Sequence, residues 1–324
     1  MKPVKRLEFP REQEAAFRKA RRLEWISLAY VCSTIVIFLL VMGTSQAMRT
    51  SLLDNVVGLV PPIAFLVSSR VARRAATKNF PYGMHASVSI GYLTASLALF
   101  AMGAFLLYEA VVKLVTLERT TIGGFDIFGT TMWAGWPMLA ALAYAGIPSF
   151  FLGRAKLKLA PLIHDKVLYA DAEMNRANWM GEVAAAAGVI GTGLGFWWAD
   201  AAAAGLVSID ILRDGLINLR AAAADLIDER PKRTTNSKEH DPLPEVVARY
   251  IESLDWVEKA EVRMREEGHV FFGEAFVVPK ATDDLVGKIA RLAEKAKGLN
   301  WRVHDLTIMP VNRKALEGHD ADGK

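Results

Sequence analysis

Long apolar segments recur along the chain, and their lengths match the thickness of a lipid bilayer. A membrane helix needs about 20 mostly apolar residues, and the run "WISLAYVCSTIVIFLLVMGTS" meets that need. Because backbone inside a bilayer must satisfy its hydrogen bonds internally, these segments are predicted to be helices. The mean hydropathy of +0.21 agrees with a membrane protein that carries a polar appendage. Six spans are predicted, at 25–45, 51–69, 86–116, 136–153, 166–196 and 199–227.

The distribution of basic residues predicts how these spans are oriented. Lys and Arg number eight in residues 1–24, four in 70–84 and four in 154–166, whereas the intervening loops hold almost none. Because cytoplasmic loops carry the excess of basic residues, the alternation predicts a multi-pass protein of the inner (cell) membrane with both termini in the cytoplasm. Within the basic N-terminal segment, residues 11–22 are predicted to form a short helix at the cytoplasmic surface.

The composition changes after the last predicted span. Residues 229–243 are a polar linker, and 244–313 hold a helix, two alternating strands, an amphipathic helix and a last strand. This α-β-β-α-β order predicts a small α+β cytoplasmic domain, with Thr282 as the N-cap of its second helix. The predicted fold class is thus a membrane protein in which a six-helix transmembrane bundle, 25–228, precedes this domain and a disordered tail at 314–324.

The fifth span carries a stripe of polar side chains that an ordinary membrane helix lacks. At about 100° per residue, five of its side chains fall within an arc of roughly 100°. These residues are Asp171, Met174, Asn175, Asn178 and Glu182. A charge near the bilayer centre costs about 2.5–3.5 kcal/mol, so such side chains normally face the bundle interior or a cavity. The stripe therefore marks either a site for a polar solute or an interhelical hydrogen-bonding network.

The second span contains a carboxylate of its own. Asp54 has no Lys or Arg nearby in sequence that would pair with it, and a function is therefore preferred for it over packing. Pro61 and Pro62 follow and are expected to kink the span just past Asp54, which would free backbone carbonyl groups.

Other residue types give little sign of chemistry. No nucleophile elbow, phosphate-binding loop or dinucleotide fingerprint is present, so the sequence offers no case for an enzyme, a cofactor or a nucleic-acid partner. Cys32 is the only cysteine, and packing in its apolar span is expected for it. Asp210 and Asp214, with Arg213 between them, are expected to form either a local ion pair or part of an interface. Five histidines lack metal-ligand spacing and are expected to be solvated: His164, His240, His269, His304 and His319.

Three segments together resemble the cation diffusion facilitator family. The segment "FPYGMHASVSIGYLTASLALFAMGAFLLYEAVVKL" (80–114) is similar to the entry and body of the family's third span. The segment "YADAEMNRANWMGEVAAAAGVIG" (169–191) is similar to its fifth span, and "EVRMREEGHVFFGEAFVV" (261–278) to the first hairpin of its cytoplasmic domain. The likeness covers residues 20–312, and it implies six spans and an α-β-β-α-β domain that forms a homodimer.

The resemblance also implies a function and a site. Members of the family typically export divalent metals, often zinc, in exchange for protons. Their tetrahedral site takes two ligands four residues apart on the second span and two on the fifth, because residues i and i+4 share a helix face. The matching positions here are Asp54 with Gly58, and Met174 with Asn178. Only Asp54 among these four is a carboxylate, so the chain departs from the family's zinc-binding set.

An oxygen-rich site is the interpretation that these departures favour. Asp54 and Glu182 would carry the cation or the proton, with Asn178 and Asn175 as neutral oxygen ligands; Met174 and Asp171 are further candidate ligands. Oxygen ligands suit harder cations than zinc, but the residues do not distinguish Zn²⁺, Mn²⁺ and Fe²⁺. The predicted function is divalent cation efflux coupled to proton antiport by alternating access. The alternative is a non-transporting homologue that acts as a regulatory or heterodimer partner.

Overall fold

The computed structural model describes residues 8–41, 46–117, 124–127 and 130–317. Within these residues, four helical segments are long and apolar enough to cross a membrane: Arg11–Leu40, Leu52–Ala72, Ser87–Val115 and Gly135–Ile163. The beginning of the predicted basic segment, the end of the predicted first span and most of the predicted tail lie outside the described residues.

The first helix, α1, runs from Arg11 to Val41 without interruption. The helix predicted at 11–22 is present, but it does not end there, and the basic segment continues directly into the first span. The physical reason is local, because the 31 residues of α1 include neither Gly nor Pro to end the helix. One face of its first turns is not solvated, since Phe17 and Ala20 are buried in the protein core.

The second span is two helices, α2 (Gln46–Val57) and α3 (Val60–Ala72). Pro61 and Pro62 occupy the first turn of α3, so the predicted break past Asp54 is confirmed. Neither proline has an N–H, and the carbonyl groups of Val57 and Gly58 therefore lack the i+4 donors that a continuous helix would supply. The break places polar backbone at mid-span, which a membrane protein tolerates only inside the protein or along a cavity.

Four long helices complete the bundle: α4 (Ser87–Val115), α5 (Gly135–Ile163), α6 (Lys166–Gly193) and α7 (Ala199–Leu226). The helix α5 continues about ten residues beyond the predicted fourth span, since its basic residue Lys156 is buried among partners rather than placed in a loop. The helices α6 and α7 have 28 residues each, enough to cross a bilayer. They are more polar than the four apolar segments, and the count of six spans stays a prediction.

Two short hairpins lie outside the helices. The first pairs β1 (Gly124–Ile127) with β2 (Thr130–Trp133) between α4 and α5. The second pairs β3 (Lys232–Arg233) with β4 (Asn236–His240). The predicted polar linker thus contains an ordered hairpin, although its polar residues have low β-strand propensity.

The polar end of the chain folds in the predicted order α-β-β-α-β. Its elements are α8 (Leu243–Glu252), β5 (Val257–Glu267), β6 (Val270–Pro279), α9 (Leu285–Leu299) and β7 (Val303–Pro310). The strand order is β5-β6-β7, antiparallel for the first pair and parallel for the second. We call residues 243–310 the sheet domain. Asp284 rather than Thr282 precedes α9 as its N-cap, and α10 (Arg313–Glu317) occupies the start of the tail that was predicted to be disordered.

The sheet domain packs directly on the helices through the turn between β5 and β6. Gly268 has a φ of +66°, and a Cβ there would lie 2.8 Å from the carbonyl oxygen of His85, so both conformation and space require glycine. The next residue, His269, is buried, and its Nδ1 lies 3.0 Å from the carbonyl oxygen of Ile163. Its ring also packs edge-on against Phe9 and Phe17. One apolar core therefore joins the bundle to the sheet domain.

A buried ion cluster lies beside that core. Lys166 Nζ lies 2.8 Å from both Asp225 and Glu266, and Glu266 also lies 3.3 Å from His164 Nε2. Burial alone would raise the pKa of Glu266, but Lys166 and His164 lower it to about 2. The expectation that His164 and His269 are solvated is therefore wrong, because partners distant in sequence enclose both rings.

The docked sheet domain is expected to loosen as the pH falls. Burial, with His304 and His269 nearby, lowers the pKa of His85 from 6.5 to about 4. The docked state thus binds fewer protons than an undocked state, so docking is strongest above about pH 6.5 and loses up to about 3 kcal/mol by pH 4. Hydrogen exchange of β6 amides at pH 7.5, 5.5 and 4.5 measures this. In His85→Gln, the exchange rate of these amides should depend less on pH. The same pH dependence in this variant as in the parent would show that protonation of His85 does not loosen the docked domain.

Candidate functional site

The polar stripe of α6 faces the bundle interior across α5. A Cβ added to Gly146 would lie 3.4 Å from Glu182 Cβ, and one added to Gly153 would lie 3.0 Å from Asn175 Cβ. Because these glycines carry no side chain, α5 and α6 approach closely along the whole stripe. Asp171, Asn175 and Glu182 are all buried as a result.

Glu182 lies next to the last turn of α2. Its carboxyl hydrogen bonds with the Asn55 side chain and interacts electrostatically with Asp54. Its Oε2 atom is buried and has no hydrogen-bond partner among the residues that the structure describes. Glu182 thus contacts Asn55 and lies within electrostatic range of Asp54, although the two acidic residues are about 130 positions apart in the chain.

Asn178 joins this group through the break between α2 and α3. A Cβ on Gly58 would lie 3.3 Å from Asn178 Nδ2. Gly58 and Asn178 face each other directly. Both belong to the four positions at which, by the resemblance described above, the family's metal ligands would lie. We call Asp54, Asn55, Asn178 and Glu182 the oxygen site, since every donor atom they offer to a cation is oxygen.

Two charged residues near Asp54 were not predicted from sequence. Glu109 and Lys113, both on α4, act electrostatically on its carboxyl. They follow Asp54 by more than 50 residues and are separated from it by a whole helix. The sequence signal for this pair was the spacing of Glu109 and Lys113, which are four residues apart and therefore share one face of α4.

Met174 lies in apolar surroundings. It is 1% exposed and belongs to a cluster with Leu99, Met102 and Ile211 from α4 and α7. Val57 and Val60, which flank the break in the second span, pack against the same cluster. The position is therefore next to Gly58, but the thioether is held by packing contacts rather than by polar groups.

Asp171 and Asn175 belong to a separate polar group, nearer the sheet domain. Lys156 Nζ lies 2.6 Å from Asp171 Oδ2 and 3.0 Å from Glu24 Oε2. Asn175 Nδ2 donates to the carbonyl and the carboxyl oxygen of Asp171, at 2.8 and 3.2 Å. We call Glu24, Lys156 and Asp171 the buried triad. Lys156 was predicted to lie in a loop, and Glu24 was not among the predicted site residues.

Asp210 and Asp214 pair with α6. Arg176 Nη2 lies 2.6 Å from Asp210 and 3.3 Å from Asp214, and Arg176 Nη1 lies 3.2 Å from Glu173. The contacts agree with the interface alternative, since α7 presents both carboxylates toward α6, and Arg213 also interacts electrostatically with Asp214.

The donor types in the oxygen site decide which cations it suits. Among the described residues, no three His, Cys, Asp or Glu side chains gather in a way that could hold a metal. Amide and backbone oxygens must therefore complete any coordination around Asp54 and Glu182. Carbonyl and carboxylate oxygens are ligands of hard divalent cations, whereas zinc sites use His and Cys.

Comparison with known proteins identifies the family. The model of the family described as the cation efflux transmembrane domain matches residues 25–227. An uncharacterized transporter of Bacillus subtilis (strain 168), YdbO, is 27% identical over 256 residues, which is 74% of this chain and 83% of that protein. The family match covers more than half of the chain and includes every residue of the oxygen site. The protein therefore belongs to the cation efflux family of membrane transporters.

Proposed function

We propose that the protein exports a divalent cation in exchange for protons, and that the oxygen site holds the cation. The observation that carries the proposal is that Glu182 hydrogen-bonds with Asn55 and interacts electrostatically with Asp54 beside the broken second span. Two neighbouring carboxylates in a low-dielectric region repel each other when both are ionised. A divalent cation or added protons relieve that repulsion equally well, and this competition is the physical basis of exchange.

The donor set favours a hard cation over zinc. Asp54 and Glu182 supply charge, and Asn55 and Asn178 supply neutral amide oxygens. The broken helix adds carbonyl oxygens of Val57 and Gly58, which lack regular donors. Ions such as Mn²⁺ or Mg²⁺ take six oxygen ligands more readily than zinc does. We infer that Met174 positions the helices and does not coordinate.

The remaining features of the proposal follow from the sequence pattern. Six spans with both termini in the cytoplasm would place the sheet domain in the cytoplasm. The break at Gly58 gives the second span a hinge at the level of the oxygen site, as alternating access requires. A homodimer formed through the sheet domain completes the proposed assembly.

Flux measurements on reconstituted protein test the proposal. Proteoliposomes with an imposed pH gradient are offered Mn²⁺, Mg²⁺, Fe²⁺, Co²⁺, Cd²⁺ and Zn²⁺ in turn. We expect flux of a hard cation that falls to background in Asp54→Ala. Asp210→Ala is the matched control, because it removes a carboxylate that is paired with Arg176 outside the oxygen site, and its flux should stay near that of the parent.

A second candidate function is a non-transporting partner protein. The lack of any three-ligand His, Cys, Asp or Glu group within the described ranges favours it. The same assay separates the two candidates. Folded protein that moves none of the offered cations would refute transport by this chain alone and would direct the search to a heterodimer partner.

A further inference from the structure

The buried triad joins three helices at the end of the bundle nearest the sheet domain. Glu24 comes from α1, Lys156 from α5 and Asp171 from α6. The side chains of Glu24 and Lys156 are 0% exposed, and that of Asp171 is 2% exposed. Both carboxyls touch the same ammonium nitrogen, at 3.0 and 2.6 Å. The two carboxyl groups are therefore neighbours in a region without solvent.

The charges of the triad do not balance when all three groups are ionised. Two carboxylates face one ammonium, and the charged groups that act on Glu24 in the described part of the chain are Asp171 and Lys156. An uncompensated buried charge is strongly unfavourable. One proton on either carboxyl removes the imbalance without any further partner.

The hydrogen bonds indicate which carboxyl carries that proton. Asp171 accepts hydrogen bonds from two donors, Lys156 and the amide of Asn175. Glu24 has the shared ammonium and a side-chain hydrogen bond with Asp171, which two carboxyls can make only with a proton between them. Its Oε1 atom is buried without a hydrogen-bond partner among the described residues. A carboxylate with fewer donors is the better proton acceptor.

Two hydroxyl side chains, Ser27 and Tyr30, follow Glu24 along α1. Ser27, one turn beyond Glu24, is buried, and its hydroxyl has no partner among the residues described. Tyr30 follows, and its hydroxyl contacts the Ala145 carbonyl and lies 3.4 Å from Ser149 Oγ. The same tyrosine interacts electrostatically with Glu182. Hydroxyl groups can both accept and donate a proton, so this column is chemically suited to relay one.

The geometry points to Glu24 as a proton-carrying group of the exchange, held by Lys156 and Asp171. This inference rests on the proposed cation–proton exchange. In the step, the O–H bond of Glu24 breaks and the proton passes to water on the side to which the bundle is open. The new carboxylate shares the Lys156 ammonium with Asp171, and a proton from the other side restores the acid. No electron transfer is involved.

Proton counting in proteoliposomes tests the inference as a transport property. A pH-sensitive dye inside the vesicles reports the protons moved for each cation that is transported. We expect Glu24→Gln to lower that ratio by about one proton while cation movement down its own gradient continues. Glu14→Gln is the matched control, because Glu14 lies on the same helix and is paired with Arg73 at a partly exposed position. An unchanged ratio in Glu24→Gln would overturn the inference.

Infrared difference spectroscopy tests the same inference without transport. Purified full-length protein is titrated with acid and base, and the band of protonated carboxyl groups is followed. We expect the band of protonated carboxyl groups to lose intensity in Glu24→Gln and to keep it in Glu14→Gln. Asp171→Asn should lose it too, because Glu24 then balances Lys156 one to one. Equal bands in all four proteins would contradict the proton on Glu24. Absence of flux in the parent would count only against the proposed function.

Discussion

Replacing Lys156 with methionine is expected to lower the free energy of unfolding by about 3–5 kcal/mol, the usual cost of leaving a buried charge without its partner. The ammonium is fully buried and is the only cation found in the described residues within ion-pair distance of Glu24 and Asp171. Methionine has a similar volume, so the loss reflects the two stranded carboxyls rather than a cavity. Thermal unfolding in detergent should show a fall in Tm on the order of 10 °C.

Two further variants make this prediction specific. Lys158→Met removes the same charge from an exposed position two residues along α5 and should leave Tm within about 1 °C of the parent. The triple substitution Glu24→Gln, Lys156→Met and Asp171→Asn removes the whole charge group and should recover most of the lost stability, since buried ion pairs are often replaceable by neutral groups. A triple variant as unstable as Lys156→Met would mean that the ammonium acts through some other contact.

Three substitutions are expected to convert the oxygen site to zinc binding. Gly58→Asp, Met174→His and Asn178→Asp, added to Asp54, restore the four-ligand set of the family that the sequence resembles. The new aspartate requires a small local shift, because a Cβ on Gly58 would lie 3.3 Å both from Asn178 Nδ2, the movable end of a side chain, and from the carbonyl oxygen of Asn55. We expect zinc to bind at least about tenfold more tightly, which corresponds to about 1.4 kcal/mol, as measured by calorimetry in detergent.

The control for this prediction introduces side chains of similar size that do not bind zinc. Gly58→Asn with Met174→Leu places an amide and an alkyl group at the same two positions, and it should leave zinc affinity at the parent's value. Suppose that the variant with three substitutions folds and binds zinc no better than this control. The second and fifth spans then do not face each other as Gly58 and Asn178 indicate.

Much of the architecture could be predicted because its causes are local. Apolar runs of bilayer length predicted the helices that α1, α3, α4 and α5 contain, and Pro61 with Pro62 predicted the break in the second span. The alternation of β5 and β6 and the amphipathic pattern of α9 predicted the order of the sheet domain. Each of these signals is a periodic pattern or a backbone constraint within about 20 residues.

The site was predictable only where one helix carried the signal. The stripe on α6 identified Asp171, Asn175, Asn178 and Glu182 as facing inward, because a single helix face can be read from spacing. That the stripe divides into two groups was not predictable. Glu182 interacts electrostatically with Asp54 beside the broken second span, whereas Asp171 meets Lys156 and Glu24 about three turns away.

Partners from other helices decided the remaining features. Lys156 was assigned to a loop, and His164 and His269 were expected in solvent, since a charged or polar side chain is usually exposed. Each is buried because residues more than 10 positions away compensate its polarity. The sequence alone thus determined which segments are helices and which faces are polar, through local periodicity. Tertiary structure alone decided which charges are neutralised, because that depends on which helices pack together.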